Sequence, residues 1–188
     1  MGMAKLHHAL AGCAALAALL APVPAGAEGV IDEVRVGALM HGLGPFSDRK
    51  EKGADINAEV LLRPLYGLSA IGAPRPTFGA SIATEDGATS QIYGMLTWEQ
   101  HLTPRFFVDA GAGIAVHDGE TSFDPMDPNI ATTKYLGCRA LFRLSGDVGY
   151  MLTKKASVSF HMDHISNAGL CSENEGLDNL GVRLGLRF

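Results

Sequence analysis

The sequence predicts an all-β fold, an eight-stranded antiparallel transmembrane β-barrel of the outer membrane, and three observations carry that expectation. Along 180–188, Leu180, Val182, Leu184, Leu186 and Phe188 share one face while Gly181, Arg183, Gly185 and Arg187 share the other. That period of two is a strand, and its apolar face opposite small and charged residues is the outer-membrane pattern. Twenty-three glycines and a mean hydropathy of +0.13 accompany many short alternating runs, and no run after the N-terminal segment approaches the ~18 apolar residues of a spanning helix. The N-terminus has the form of an export signal, with Lys5 before an apolar stretch over 9–21 and a small-residue site at Ala25-Gly26-Ala27. Residues 1–27 are therefore expected to be a removed signal peptide and 28–188 a single barrel domain. Leu10-Ala11-Gly12-Cys13 resembles a lipobox, but the apolar region follows the cysteine, which argues against lipidation.

Each element follows from its alternation. The first strand spans 33–41, with Val34, Val36, Ala38 and Met40 on one face, and the second spans 54–62, where Asp55, Asn57 and Glu59 oppose Ala54, Ile56, Ala58 and Val60. The third covers 76–84. The fourth, 91–101, carries Trp98 near its end as an interfacial anchor. The fifth, 106–117, sets Phe106, Val108, Ala110, Ala112, Ile114 and Val116 against Asp109, Gly111, Gly113 and His117. The sixth and seventh, 135–152 and 157–167, flank a tight turn at 153–156, and the eighth closes the chain from Asp178. Short turns at Thr103-Pro104 and Lys154-Lys155 fall on the periplasmic side. Stretches 42–52, 118–133 and 169–177 are the external loops. Residues 63–75 break this alternation, being long where a short turn is expected.

Parity then sorts the polar residues. Counting back from the last strand and through Val158, Phe160 and Met162 places His164, Ser166 and Asp178 on the lipid side. Asp55, Glu59, Glu99, Asp109, Arg139, Arg143, Arg183 and Arg187 read as a lumen of paired charges, because eight strands leave room for side chains and no channel. His161 points opposite to His164, so the two cannot chelate one ion. No metal is expected. The acidic residues Asp118, Glu120, Asp124 and Asp127 lack a defined ligand spacing and read as a solvated loop. A net charge of −5 gives no basic footprint for nucleic acid.

His164-Ile165-Ser166-Asn167-Ala168-Gly169, followed by Asn174, Gly176 and Asp178 and a terminal aromatic strand, resembles the C-terminal signature of the outer-membrane lipid A 3-O-deacylases, the PagL-type acyloxyacyl hydrolases. The resemblance covers the last quarter of the chain. It implies hydrolysis of the ester-linked acyl chain at position 3 of lipid A in the outer leaflet of a Gram-negative outer membrane, by a serine esterase without a metal or other cofactor. Carried over by position, Ser166 is the nucleophile, His164 the base and Asp178 the acid. Asn167 matches the oxyanion-hole residue, with the backbone of Ala168 and Gly169 beside it, and Asn174 and Gly176 support the loop. The family's usual Glu is Asp178 here, one methylene shorter.

The chemistry also stands on its own terms. A serine hydroxyl is a weak nucleophile until an imidazole takes its proton, and a carboxylate fixes that imidazole's tautomer. Residues two apart on a strand lie about 7 Å apart along it, so His164 and Ser166 need a local bend at the strand end. The acyl chain is expected along the exterior of strands seven and eight. Cys138 and Cys171 reach the same height of the hairpin, where an oxidising compartment favours a disulfide; two unpaired thiols are the alternative. Two other functions stay open: a non-catalytic structural or adhesive barrel, and an outer-membrane phospholipase. Expected partners are lipid A or lipopolysaccharide and the outer membrane, with no nucleic acid and a homodimer left open.

Overall fold

The computed structural model describes residues 29–188; the expected signal segment lies outside the described residues. Eight strands close into one barrel in chain order, each antiparallel to its neighbours and β1 pairing with β8. They are β1 (Ile31–His41), β2 (Ala54–Leu62), β3 (Arg75–Ala83), β4 (Gln91–His101), β5 (Phe106–His117), β6 (Ala140–Met151), β7 (Ala156–Ser166) and β8 (Leu177–Arg187). Closure leaves no unpaired edge, which a lipid environment requires of a sheet. Among the described residues no helix is long and apolar enough to cross a membrane.

The alternation becomes an apolar exterior and a polar interior. Phe78, Ile92, Phe142, Leu144, Val148, Phe160, Val182 and Leu184 are exposed on the outer wall, whereas Glu33, Arg35, Glu59, Asp109, Arg143, Asp147, Asp163 and Arg183 are buried within. The interior charges are paired. Arg35 donates to Glu33 at 2.7 Å and to Asp109 at 2.6 Å, and Arg183 bridges Glu59 and Asp147, each at 2.6 Å. The Arg143 guanidinium lies 3.8 Å from the centre of the Tyr93 ring. A buried ion left without its partner typically costs ~3–5 kcal/mol, so these pairs fix the lumen as a packed core.

Three expectations change. Strand six starts at Ala140, not at 135, because Tyr135 and Leu136 turn in over the barrel end: Leu136 N–H donates to Glu120 O at 2.8 Å and Tyr135 N–H to Glu175 Oε2 at 2.8 Å. Arg139 therefore belongs to the loop and not to the lumen. It is exposed, and its guanidinium donates to the carbonyls of His117 and Gly119. The long 63–74 connection contains a 3₁₀ turn at Tyr66–Ile71 with no buried residue, and Trp98 Nε1 donates to Ile71 O at 2.7 Å. Tyr66, Leu68, Ile71 and the partly exposed Trp98 thus form an amphipathic band, the kind of residues that sit at a membrane interface. The opposite barrel end carries four loops: L1 (42–53), L2 (84–90), L3 (118–139) and L4 (167–176).

Candidate active site

His164 lies near the L4 end of β7, directly opposite Asp178 of β8 in the register. Directly opposed residues on one sheet face have Cβ atoms about 4.5–5.5 Å apart. An aspartate therefore spans the gap, and His164 Nδ1 and Asp178 Oδ1 are 2.6 Å apart. The pair has outward parity, as expected, yet Asp178 is fully buried while His164 keeps about a fifth of its side chain exposed. L1 accounts for the difference. It lies over β8, so that Phe46 N–H donates to Asp178 Oδ2 at 2.7 Å and the Phe46 ring stands edge-on to the imidazole with centroids 5.5 Å apart.

Ser166 is the last residue of β7 and shares a cavity of about 380 Å³ with His164, Ala168, Phe142, Leu144 and Ala112. No hydrogen bond joins Ser166 Oγ to His164 among the described residues, as two positions along one strand would suggest. The cavity opens over β5, β6 and β7, instead of over the β7–β8 pair expected for the acyl chain, because L1 occupies the β8 side. Beyond His164, Ser166 and Arg143 its lining is apolar or small.

L4 is organised by Asn167. The side chain is buried; Nδ2 donates to Leu136 O at 2.8 Å and to Glu173 O, while Oδ1 accepts from Gly169 N–H at 2.9 Å. Its own N–H donates to Asn174 Oδ1 at 2.9 Å. Both amide hydrogens are committed, so this side chain offers no donor to a substrate oxygen without breaking a loop contact. Ala168 adopts a positive φ of 55° and its N–H has no hydrogen-bond partner among the described residues. Gly176, at φ 58°, passes so close to the imidazole that a Cβ there would sit 3.0 Å from His164 Cε1. Cys138 and Cys171 are joined as a disulfide with Cα atoms 6.0 Å apart, tying L3 to L4.

Sequence reasoning missed the contribution of L1. Gly44-Pro45-Phe46 reads as an ordinary turn, and its partner Asp178 is 132 positions from Phe46. L1 is itself braced. Asp48 pairs with Lys134 at 2.5 Å, Lys50 pairs with Glu175, and Glu51 Oε2 accepts from Thr89 N–H at 2.8 Å and lies 3.0 Å from His41 Nε2. Burial would raise the Glu51 pKa, but His41 and the backbone N–H groups of Thr89 and Lys134 outweigh it and hold the carboxyl below its ordinary value. No cluster of three or more metal-binding side chains occurs among the described residues.

Fold and site together define a small outer-membrane-type barrel with a histidine–carboxylate pair and a serine on its outer wall. A family model described as lipid A 3-O-deacylase (PagL) matches residues 75–187, and the chain belongs to that family. Lipid A deacylase PagL of Bordetella bronchiseptica is 28% identical over 121 residues, covering 60% of this chain and 61% of that relative, so the chain spans about three fifths of its length. The crystal structure of the outer membrane enzyme PagL superposes with a TM-score of 0.54 and 16% identity, covering 82% of this chain and 99% of that one. Neisserial surface protein A superposes with a TM-score of 0.50 and 10% identity, covering 85% of this chain and 97% of that one. At those identities the two structures speak for the fold alone.

Proposed function

We propose that this protein is a lipid A 3-O-deacylase of the Gram-negative outer membrane, working at the outer leaflet by serine esterase chemistry. The observation that carries the reading is the His164–Asp178 contact at 2.6 Å, with His164 and Ser166 lining one outward-facing cavity. Asp178 accepts a hydrogen bond from Nδ1–H and leaves Nε2 as the base, which takes the Ser166 proton as Oγ attacks the ester carbonyl. A tetrahedral intermediate forms, and the unpartnered N–H of Ala168 supplies a donor for its oxyanion, while Asn167 holds the loop in the conformation that presents it. Collapse breaks the bond to the sugar 3-oxygen, which takes its proton from His164; water then attacks the acyl-serine with His164 again as base, and the second collapse breaks the acyl–Oγ bond, releasing the fatty acid as Oγ takes its proton back from His164. The Ser166–His164 contact closes as substrate seats, since catalytic hydrogen bonds are often long before it does. The scissile ester lies at headgroup depth with its acyl chain over Phe142, Leu144 and Ala112.

Refolded wild type, Ser166→Ala and His164→Ala, normalised to folded barrel, would be given purified lipid A and the released fatty acid measured by mass spectrometry. Each variant should lose about 10⁴-fold in rate. Release by Ser166→Ala at the wild-type rate would refute the assignment, and faster turnover of glycerophospholipid than of lipid A would make this a phospholipase.

A further inference from the structure

We infer that the Gly44-Pro45-Phe46 segment of L1 is part of the catalytic apparatus: its Phe46 N–H is the fixed second partner of Asp178, and this loop contact lets aspartate do the acid's work. The inference rests on the proposed Ser166–His164–Asp178 chemistry and adds a positioning group to it.

The carboxylate is held at both oxygens. Oδ1 meets His164 Nδ1 at 2.6 Å and Oδ2 accepts from Phe46 N–H at 2.7 Å. With one contact alone, the carboxylate could rotate about its Cβ–Cγ bond; with two on different oxygens its plane is set, and with it the tilt of the imidazole. The sequence of the segment suits this task residue by residue. A Cβ on Gly44 would lie 2.3 Å from Asp178 Cβ and Oδ2, so only glycine lets the backbone lie against the acid. Pro45 has a ring-fixed φ and no N–H of its own, which makes the following amide, that of Phe46, the rigidly presented donor. The Phe46 ring then stands edge-on to His164. The same tightness explains the acid's length, because the extra methylene of a glutamate would have to enter the space that Gly44 already fills. Beyond the segment, the Asp48–Lys134 and Lys50–Glu175 pairs anchor L1 to L3 and L4, so the donor is braced from both neighbouring loops.

The test separates the amide from the ring. Phe46→Pro removes the N–H, whereas Phe46→Ala keeps it and removes only the aromatic side chain. Fatty-acid release from lipid A by refolded protein, with folding checked by the gel-mobility difference between folded and unfolded barrel, should show kcat about 10- to 100-fold lower for Phe46→Pro than for Phe46→Ala with KM changed less than about twofold. That is the penalty expected when a reacting group is misplaced by a fraction of an ångström to an ångström. Asp178→Glu provides the second measurement. Although it restores the acid usual in the family, it should lower kcat about tenfold or more, and Gly44→Ala should do the same. Equal kcat in Phe46→Pro and Phe46→Ala, or wild-type kcat in Asp178→Glu, overturns the inference while leaving the serine mechanism standing. Wild-type protein that releases no fatty acid, or Ser166→Ala that releases it normally, sinks the mechanism instead.

Discussion

Gly176→Ala isolates the placement of the histidine. Gly176 has φ 58°, and the added Cβ would meet His164 Cε1 at 3.0 Å and Nε2 at 3.7 Å, where ordinary contacts begin near 3.4 Å. Two penalties follow. The left-handed backbone costs a non-glycine residue ~1–2 kcal/mol, and the ring must yield by about 0.4 Å, away from the geometry that meets Asp178. Gly87 in L2 supplies the control: its φ is 80° and a Cβ there meets nothing within 4 Å. Both variants should lose about the same stability in urea unfolding. Only Gly176→Ala should lose turnover, by about tenfold, taking roughly 10²-fold per ångström of misplacement as the scale. Initial rates of fatty-acid release at saturating lipid A, per folded barrel, measure this. If Gly176→Ala matches Gly87→Ala in kcat, the contact between L4 and the imidazole does not set the position of the base.

Two further outcomes follow from the loops. Breaking the Cys138–Cys171 bridge, which spans 33 positions, by Cys171→Ser should lower stability by ~3–4 kcal/mol from chain entropy alone; an unchanged urea midpoint in oxidised samples would show that the bridge constrains nothing. Glu51 has a folded pKa held below its ordinary value, so it stabilises the fold fully above about pH 4.5 and loses that contribution as pH falls through the lower folded value. Glu51→Gln should therefore flatten the acid side of the stability–pH curve, and parallel curves for wild type and variant would refute the role.

The barrel was legible because its signal is local and periodic. Leu180 to Arg187 and Phe106 to His117 declare their two faces within a few residues, and parity alone placed His164, Ser166 and Asp178 outside and His161 inside. What escaped that reading depends on contacts between distant segments. Tyr135, Gly137 and Arg139 continue the apparent alternation of strand six, and contacts from distant segments, Glu120 and Asn167 to Leu136 and Glu175 to Tyr135, take that stretch out of the sheet. Asn167 is similar. The family resemblance implied an oxyanion-hole role for it, and the carbonyls of Leu136, 31 positions away, and Glu173 take up its amide hydrogens. Asp178 looked lipid-facing by parity and is sealed by a loop whose sequence gives no hint of its destination.

An exterior cavity on a barrel with a packed interior also sets the dimensionality of encounter. On the proposed reading, substrate reaches Ser166 along the membrane plane, through the gap over Phe142 and Leu144, since Arg35, Arg143 and Arg183 with their carboxylate partners fill the axial route. The relevant substrate concentration is then a surface density, molecules per area of leaflet, and diluting the membranes in buffer leaves it unchanged. Diluting the substrate among other lipids lowers it. On the proposed reading, turnover follows the make-up of the leaflet in which the barrel sits.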